Sequence, residues 1–182
     1  GGTGKTRKDV TIEVNIPAGV DDGSVINVRG QGNPGENGGP DGNLFVIVSV
    51  APHKLFKRNN LDLELEIPIT FAQAALGADV VIPTMEEKVS YKVPAGTQPG
   101  TVFRLKGKGV KSPNTGITGD LYVKVVLEVP RNLTESQKKL IQEFEDGSTA
   151  EMYTKKKSFG EIVRELFTDA EKKAERKKKK KK

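Results

Sequence analysis

Ile16-Pro17-Ala18-Gly19, then Gly23-Ser24-Val25-Ile26-Asn27-Val28-Arg29-Gly30-Gln31-Gly32, then Gly42-Asn43-Leu44-Phe45-Val46-Ile47-Val48, is a pattern the chain uses twice. The second copy reads Val93-Pro94-Ala95-Gly96, Gly100-Thr101-Val102-Phe103-Arg104-Leu105-Lys106-Gly107-Lys108-Gly109 and Gly119-Asp120-Leu121-Tyr122-Val123-Lys124-Val125. Matched positions differ by 77 throughout (94 against 17, 119 against 42), so the copies align without a gap. Two copies are too few for a solenoid, and the apolar runs are short and punctuated by Gly and Pro, so the pattern reads as a duplicated β-module.

Outward from the first copy, Asp9–Ile16 alternates apolar and polar residues with period two and predicts a strand that Pro17-Ala18-Gly19 ends. Asp22-Gly23 turns the chain into a second strand, Ser24–Arg29. Leu44–Val50 is nearly continuous apolar sequence and is expected to be buried on both faces. Ala51–Asn60 reads as the link between modules, with Asn59-Asn60 as a turn and with Leu55 and Phe56 as apolar residues in a charged connector.

In the second module Leu61–Ile67 alternates strictly and predicts a half-buried strand. Thr70 can cap a short helix rich in Ala72, Ala74 and Ala75, which Gly77 closes. Strands are expected at Asp79–Ile82, Lys88–Val93, Thr101–Lys106 and Asp120–Val129, with a turn around Thr84–Glu87. After Pro130, Thr134-Glu135-Ser136-Gln137 forms a capping box for a helix to about Glu145, with Leu140, Ile141 and Phe144 on one face. Gly147–Lys157 reads as a loose linker. Ser158-Phe159-Gly160-Glu161 forms a second capping box, opening a helix whose apolar stripe is Phe159, Ile162, Val163, Leu166, Phe167 and Ala170. Such a stripe needs a partner, either a second copy of the chain or its own second module. Lys172–Lys182 is a basic run expected to be disordered.

Composition narrows the function. The net charge of +6 is concentrated in Glu171–Lys182, which holds nine basic and two acidic residues and leaves 21 basic and 22 acidic residues elsewhere. The body is therefore near neutral and lacks the electrostatic footprint of a nucleic-acid binder. No apolar run is long enough for a membrane span. The opening Gly1-Gly2-Thr3-Gly4 has neither Met nor an apolar run, so the sequence reads as a piece of a longer protein without a signal peptide. There is no cysteine, which suits the cytosol, and with His53 as the lone histidine no metal site or catalytic constellation suggests itself; an enzyme is not expected. Gly1–Thr6 imitates the end of a phosphate-binding loop, but the strand that must precede it is missing. Gly30-Gln31-Gly32-Asn33-Pro34-Gly35 matches G-x-G-x-x-G, but Pro34, Gly35, Gly38, Gly39 and Pro40 forbid the helix that a dinucleotide site requires, and the second copy carries Ser112 in place of the third Gly. A carbohydrate-binding β-sandwich or an assembly-only module remains as an alternative; the absence of Trp weighs against the aromatic platform a sugar site usually presents.

The link His53-Lys54-Leu55-Phe56-Lys57-Arg58, the segment Phe71-Ala72-Gln73-Ala74-Ala75-Leu76-Gly77, Val93-Pro94-Ala95-Gly96-Thr97 and Arg104-Leu105-Lys106-Gly107-Lys108-Gly109-Val110 together resemble the C-terminal region of the bacterial DnaJ family, zinc-containing J-domain co-chaperones. The resemblance covers nearly the whole chain and is weakest in 146–157 and in the Lys tail. Gly2-Thr3-Gly4 is similar to the end of the family's last C-x-x-C-x-G-x-G knuckle. The J-domain, with its His-Pro-Asp loop, and the zinc knuckles are not in this sequence, so no cofactor is expected in it and zinc belongs to the absent cysteine-rich region.

The resemblance implies a mostly β fold of two tandem β-sandwich-like domains: residues 1–55, incomplete because the family's first domain also takes strands from before the zinc region, and residues 56–146. A C-terminal dimerisation segment, 147–182, follows. It implies binding of unfolded client polypeptide, delivery to a DnaK-type chaperone, a homodimer and a cytoplasmic location. The client groove is expected on the first domain, flanked by Ile12, Val14 and Phe56. Phe56 could instead only seal the interdomain joint, and Val28 and Phe45 could line the groove or fill the core.

Overall fold

The computed structural model describes the backbone of residues 9–35 and 38–179, with side chains as far as residue 167. Eight strands are described: β1 (Val25–Val28), β2 (Leu44–Ile47), β3 (Phe56–Asn59), β4 (Asp62–Thr70), β5 (Ala78–Pro83), β6 (Lys88–Val93), β7 (Val102–Leu105) and β8 (Leu121–Glu128). Three α-helices join them: α1 (Phe71–Leu76), α2 (Glu135–Asp146) and α3 (Thr154–Lys179). The fold is mostly β with a helical C-terminal part, as the sequence implies. By compactness it divides into residues 1–129, which hold all eight strands, and residues 130–182.

The duplication is visible in the backbone. β1 and β2 pair antiparallel with Val25 opposite Ile47 and Val28 opposite Leu44; β7 and β8 pair with Val102 opposite Lys124 and Leu105 opposite Leu121, the same register 77 residues on. The loop bonds repeat as well. Gly23 N donates to Val48 O and Gly100 N to Val125 O, at 2.9 and 2.8 Å. Gly32 N donates to Gly42 O and Gly109 N to Gly119 O, at 2.8 and 2.9 Å. The Gly-rich loops thus close two long β-connections by backbone bonding.

What differs is the neighbour. β8 also pairs in parallel with β4 over eight positions, Leu63 to Thr70 against Leu121 to Glu128, giving a four-stranded sheet ordered β3-β4-β8-β7. β2 has no second neighbour among the described residues, so β1 and β2 form a two-stranded sheet. One face of the four-stranded sheet packs on α1 and the β5–β6 hairpin. Leu63, Leu65, Ile67, Ile69, Leu121, Val123 and Val125 meet Ala74, Ile82 and Val93 in one buried cluster. Each such aliphatic side chain is worth roughly 1.5–3 kcal/mol on burial. The strict alternation read at Leu61–Ile67 is therefore a true half-buried strand, running on to Thr70. Pro68 is tolerated because it lies past Leu65, where the β3 ladder ends. Thr70 caps α1 as expected, its Oγ1 accepting from Gln73 N at 3.1 Å while Thr70 N donates to Gln73 Oε1 at 3.0 Å.

Several expectations need correction. Asp9–Ile16 has Ile12 and Val14 half-buried but forms no strand. Alternation specifies a face; only a partner completes a ladder, and none is described for this segment. Leu44–Val50 is not buried on both faces, since Phe45 and Ile47 are 62% and 73% exposed. Residues 56–59, read as the end of the link between modules, form β3, paired with β4 from Phe56 opposite Leu65 to Asn59 opposite Asp62. The turn falls one residue later, with Asn60 at φ 55°.

In the C-terminal unit, Thr134 and Gln137 form the expected capping box on α2. Gly147–Lys157 is more ordered than read: Ala150–Met152 form a 3-10 turn and α3 begins at Thr154. Ser158 is therefore inside α3, its Oγ donating to Thr154 O at 3.0 Å, rather than capping it. Lys155, Lys156 and Lys157 are competent helix formers, so the tyrosine-to-serine stretch could join the helix without help from Ser158. The same propensity carries α3 through the basic run as far as Lys179, where disorder was expected. Gly1–Thr6 lie outside the described residues.

Candidate functional site

The paired rows of the first hairpin put Val25 beside Ile47 and Asn27 beside Phe45 on one face. Three of these four side chains are apolar and open to solvent: Val25 is 58% exposed, with Phe45 and Ile47 more so. The opposite face carries Ile26, Val28, Leu44 and Val46, all half-buried. In the second copy the outward row-mates are Val102 beside Lys124 and Arg104 beside Tyr122. There the face is ionic. Lys124 Nζ reaches Glu66 Oε1 at 2.8 Å on the neighbouring β4, an exposed pair that lowers the Glu66 pKa and raises that of Lys124. Arg104 Nε donates to Asp120 Oδ2 at 2.6 Å. Asp120 is itself held below the ordinary carboxylate range, first by the Gly107 backbone N–H at 2.7 Å and then by Arg104. The two copies thus share a backbone and differ in what their outer faces can bind. The first offers exposed apolar side chains on a hairpin in which β2 has no second strand neighbour among the described residues.

A second feature sits where the repeats meet. A cleft of about 800 Å³ is lined by Val20, Val50, Pro52, His53, Phe56 and Met85 among others. Arg58 bridges it to the first repeat, Nη1 donating to Val20 O at 2.7 Å and Nη2 to Gly19 O at 3.0 Å, with an ion pair to Asp21. Val50 N donates to Asp22 Oδ1 at 2.8 Å. Gly19, at φ 87°, must be glycine: a Cβ there would lie 1.9 Å from Lys111 O.

Phe56 is 8% exposed and belongs to the core, its ring 5.1 Å from that of His53. Ile12, Val14, Val28 and Phe45 do not line the cleft that Phe56 lines. Of the helix stripe, Phe159, Ile162, Leu166 and Phe167 are all more than half exposed, Val163 is half-buried, and the side chain of Ala170 lies outside the described residues. Val25 and Ile47 were not singled out from the sequence. The signal was present, because Ile47 stands at the position where the second copy has Lys124. Among the described residues no group of acidic, His or Cys side chains could hold a metal ion, and no helix is long and apolar enough to cross a membrane.

This duplicated arrangement has relatives. The model of the DnaJ C-terminal domain matches residues 3–130. The chain belongs to the DnaJ C-terminal domain family. It is 50% identical over 162 residues to the chaperone protein DnaJ of Clostridioides difficile strain 630, an alignment covering 89% of this chain and 42% of that protein. Against the DnaJ of Neisseria meningitidis FAM18 the figures are 49% over 168 residues, 91% and 45%. Against that of Caldicellulosiruptor bescii they are 48% over 162 residues, 89% and 42%. The chain thus spans less than half the length of these DnaJ relatives.

Proposed function

We propose that this DnaJ-family chain is the client-holding part of a chaperone. Unfolded polypeptide adds as a strand to the β1–β2 hairpin and lays its apolar side chains on Phe45, Ile47 and Val25, with Ile12 and Val14 completing the groove, Val28 supporting the hairpin from its opposite face and Phe56 backing the joint to the second repeat. The carrying observation is the exposed apolar pair Phe45 and Ile47, beside Val25, at positions where the second copy has Tyr122 and the ion-paired Lys124. Main-chain bonding gives affinity with little sequence demand, and alternate side chains set a mild preference for apolar residues. One Phe- or Leu-sized contact contributes roughly 1.5–3 kcal/mol before association costs, so binding at a single hairpin is weak and promiscuous.

Phe45→Ser with Ile47→Ser should lower affinity for a fluorescein-labelled, permanently unfolded polypeptide by about tenfold or more, with little change in Tm, because both side chains are already in solvent. Unchanged anisotropy titrations would remove the hairpin from the site. Phe56→Ala is a poorer probe than its place in the sequence suggests, since its burial makes it destabilising in its own right.

The domains are proposed to run 1–55, 56–146 and 147–182, with the last pairing two chains through Phe159, Ile162, Val163, Leu166, Phe167 and Ala170. Pairing two weak sites raises effective concentration without new contacts. A chain ending at Tyr153 should then be monomeric by light scattering while keeping its β-sheet circular dichroism; a persisting dimer would place the interface elsewhere. Delivery of clients to a DnaK-type chaperone, a cytoplasmic setting and the lack of any catalytic step complete the proposal. They are supported by the family and by the absence of a nucleophile–base constellation in the sequence.

A further inference from the structure

His53, the only histidine in the chain, has no part in the function proposed so far. Its Nδ1 accepts two backbone hydrogen bonds, from Leu55 N at 3.1 Å and from Phe56 N at 3.2 Å. One side-chain acceptor serving the N–H groups two and three residues ahead is the arrangement Asn and Asp make when they organise a turn. Here an imidazole makes it. The consequence lies in the next residue pair: Phe56 opens β3 opposite Leu65, and its ring enters the core with the His53 ring tilted 34° against it. Two residues on, Arg58 grips the Gly19–Asp21 turn of the first repeat.

We infer that His53 is a positioning residue: through Nδ1 it fixes where the connector stops and β3 starts, and so aims Phe56 at the cleft wall and Arg58 at the first repeat. An imidazole accepts at Nδ1 only while that nitrogen is unprotonated, and the imidazolium has donors alone. The Leu55 and Phe56 N–H groups therefore depend on that ring nitrogen, and a side chain without an acceptor at this position loosens the joint between repeats. The charged residues lining the same cleft as His53 are Lys57 and Arg58 on β3 and Asp21 and Asp22 on the facing turn, and Lys54 follows it in the chain. Of these, Asp21 is engaged by Arg58 and Asp22 by the Val50 N–H. The link to client binding rests on Phe56 belonging to the proposed site, whereas the positioning role does not.

The test is amide hydrogen exchange on the full chain at one pH, read as protection factors at Leu55 and Phe56. His53→Leu removes the acceptor and should lose about tenfold in protection at both amides. His53→Asn supplies another acceptor, so its protection should stay within about twofold of wild type. A His53→Leu protein as protected as wild type, or a His53→Asn protein as low as His53→Leu, overturns the proposal; should His53→Leu fail to fold, a His53→Asn protection about tenfold below wild type overturns it by itself. Affinity for the labelled unfolded polypeptide, measured in parallel, separates the two ideas. If it follows the same pattern, Phe56 serves the client site; if protection follows the pattern and affinity does not, His53 positions the joint while Phe56 leaves the proposed site.

Discussion

The β1–β2 hairpin and the β7–β8 hairpin are the same backbone with opposite fates. Both carry four paired rows in one register, both turn through a Gly-rich loop, and both begin with a residue more than half exposed, Val25 and Val102. Leu121 and Val123, however, are fully buried, while their counterparts Leu44 and Val46 are half-buried. β4 and the elements packed beneath it account for the difference. β8 has strand neighbours on both edges and a packed face; β2 has no second neighbour among the described residues and carries apolar side chains on its outer face, which is why it is the one proposed to meet clients. The side chains follow that division. Where β8 has a neighbour in β4, its outer face is charged and Lys124 pairs with Glu66. At the matching place on β2 stands Ile47.

The comparison can be broken most directly at its buried row. Leu121→Ala should cost about 2–5 kcal/mol in urea unfolding followed by circular dichroism, and Leu44→Ala roughly less than half as much. Equal costs would mean the first hairpin is as deeply packed as the second.

A smaller effect sharpens the comparison at the loop. Asn43 Oδ1 accepts from Gly30 N at 3.3 Å where Asp120 Oδ1 accepts from Gly107 N at 2.7 Å, so Asp120→Asn writes the first copy's solution into the second. The Gly107 bond should survive and the Arg104 pair should not. Because the folded protein holds the Asp120 carboxyl below its ordinary value, its contribution is complete above that ordinary value, about 3.9, and is lost as pH falls through the lower folded one. The Asp120→Asn protein should therefore melt below wild type near neutral pH, and the gap should narrow below about pH 4. A gap that holds constant through acid would show that the charge contributes nothing.

Much of this was legible in the residues. The 77-residue repeat, the capped α1 and α2 and the half-buried β4 rest on local rules: spacing, a capping side chain, a strict alternation. The errors came where a local pattern needed a distant partner. Asp9–Ile16 alternates like a strand and pairs with nothing described. Leu44–Val50 reads as doubly buried because apolar density records what a segment tolerates, not what covers it. Ser158-Phe159-Gly160-Glu161 spells a capping box, but three preceding lysines propagate the helix past it.

Sequence alone determined the repeat, its register and the family, because a backbone turn that demands Gly and a strand that demands alternation leave marks at fixed positions. Tertiary structure decided which copy is core and which is exposed, since burial belongs to pairs of surfaces and β4 covers only one of two nearly identical hairpins. It also decided that Phe56 is held in place rather than displayed, through a histidine whose role depends on two amide groups that no spacing rule would have linked to it.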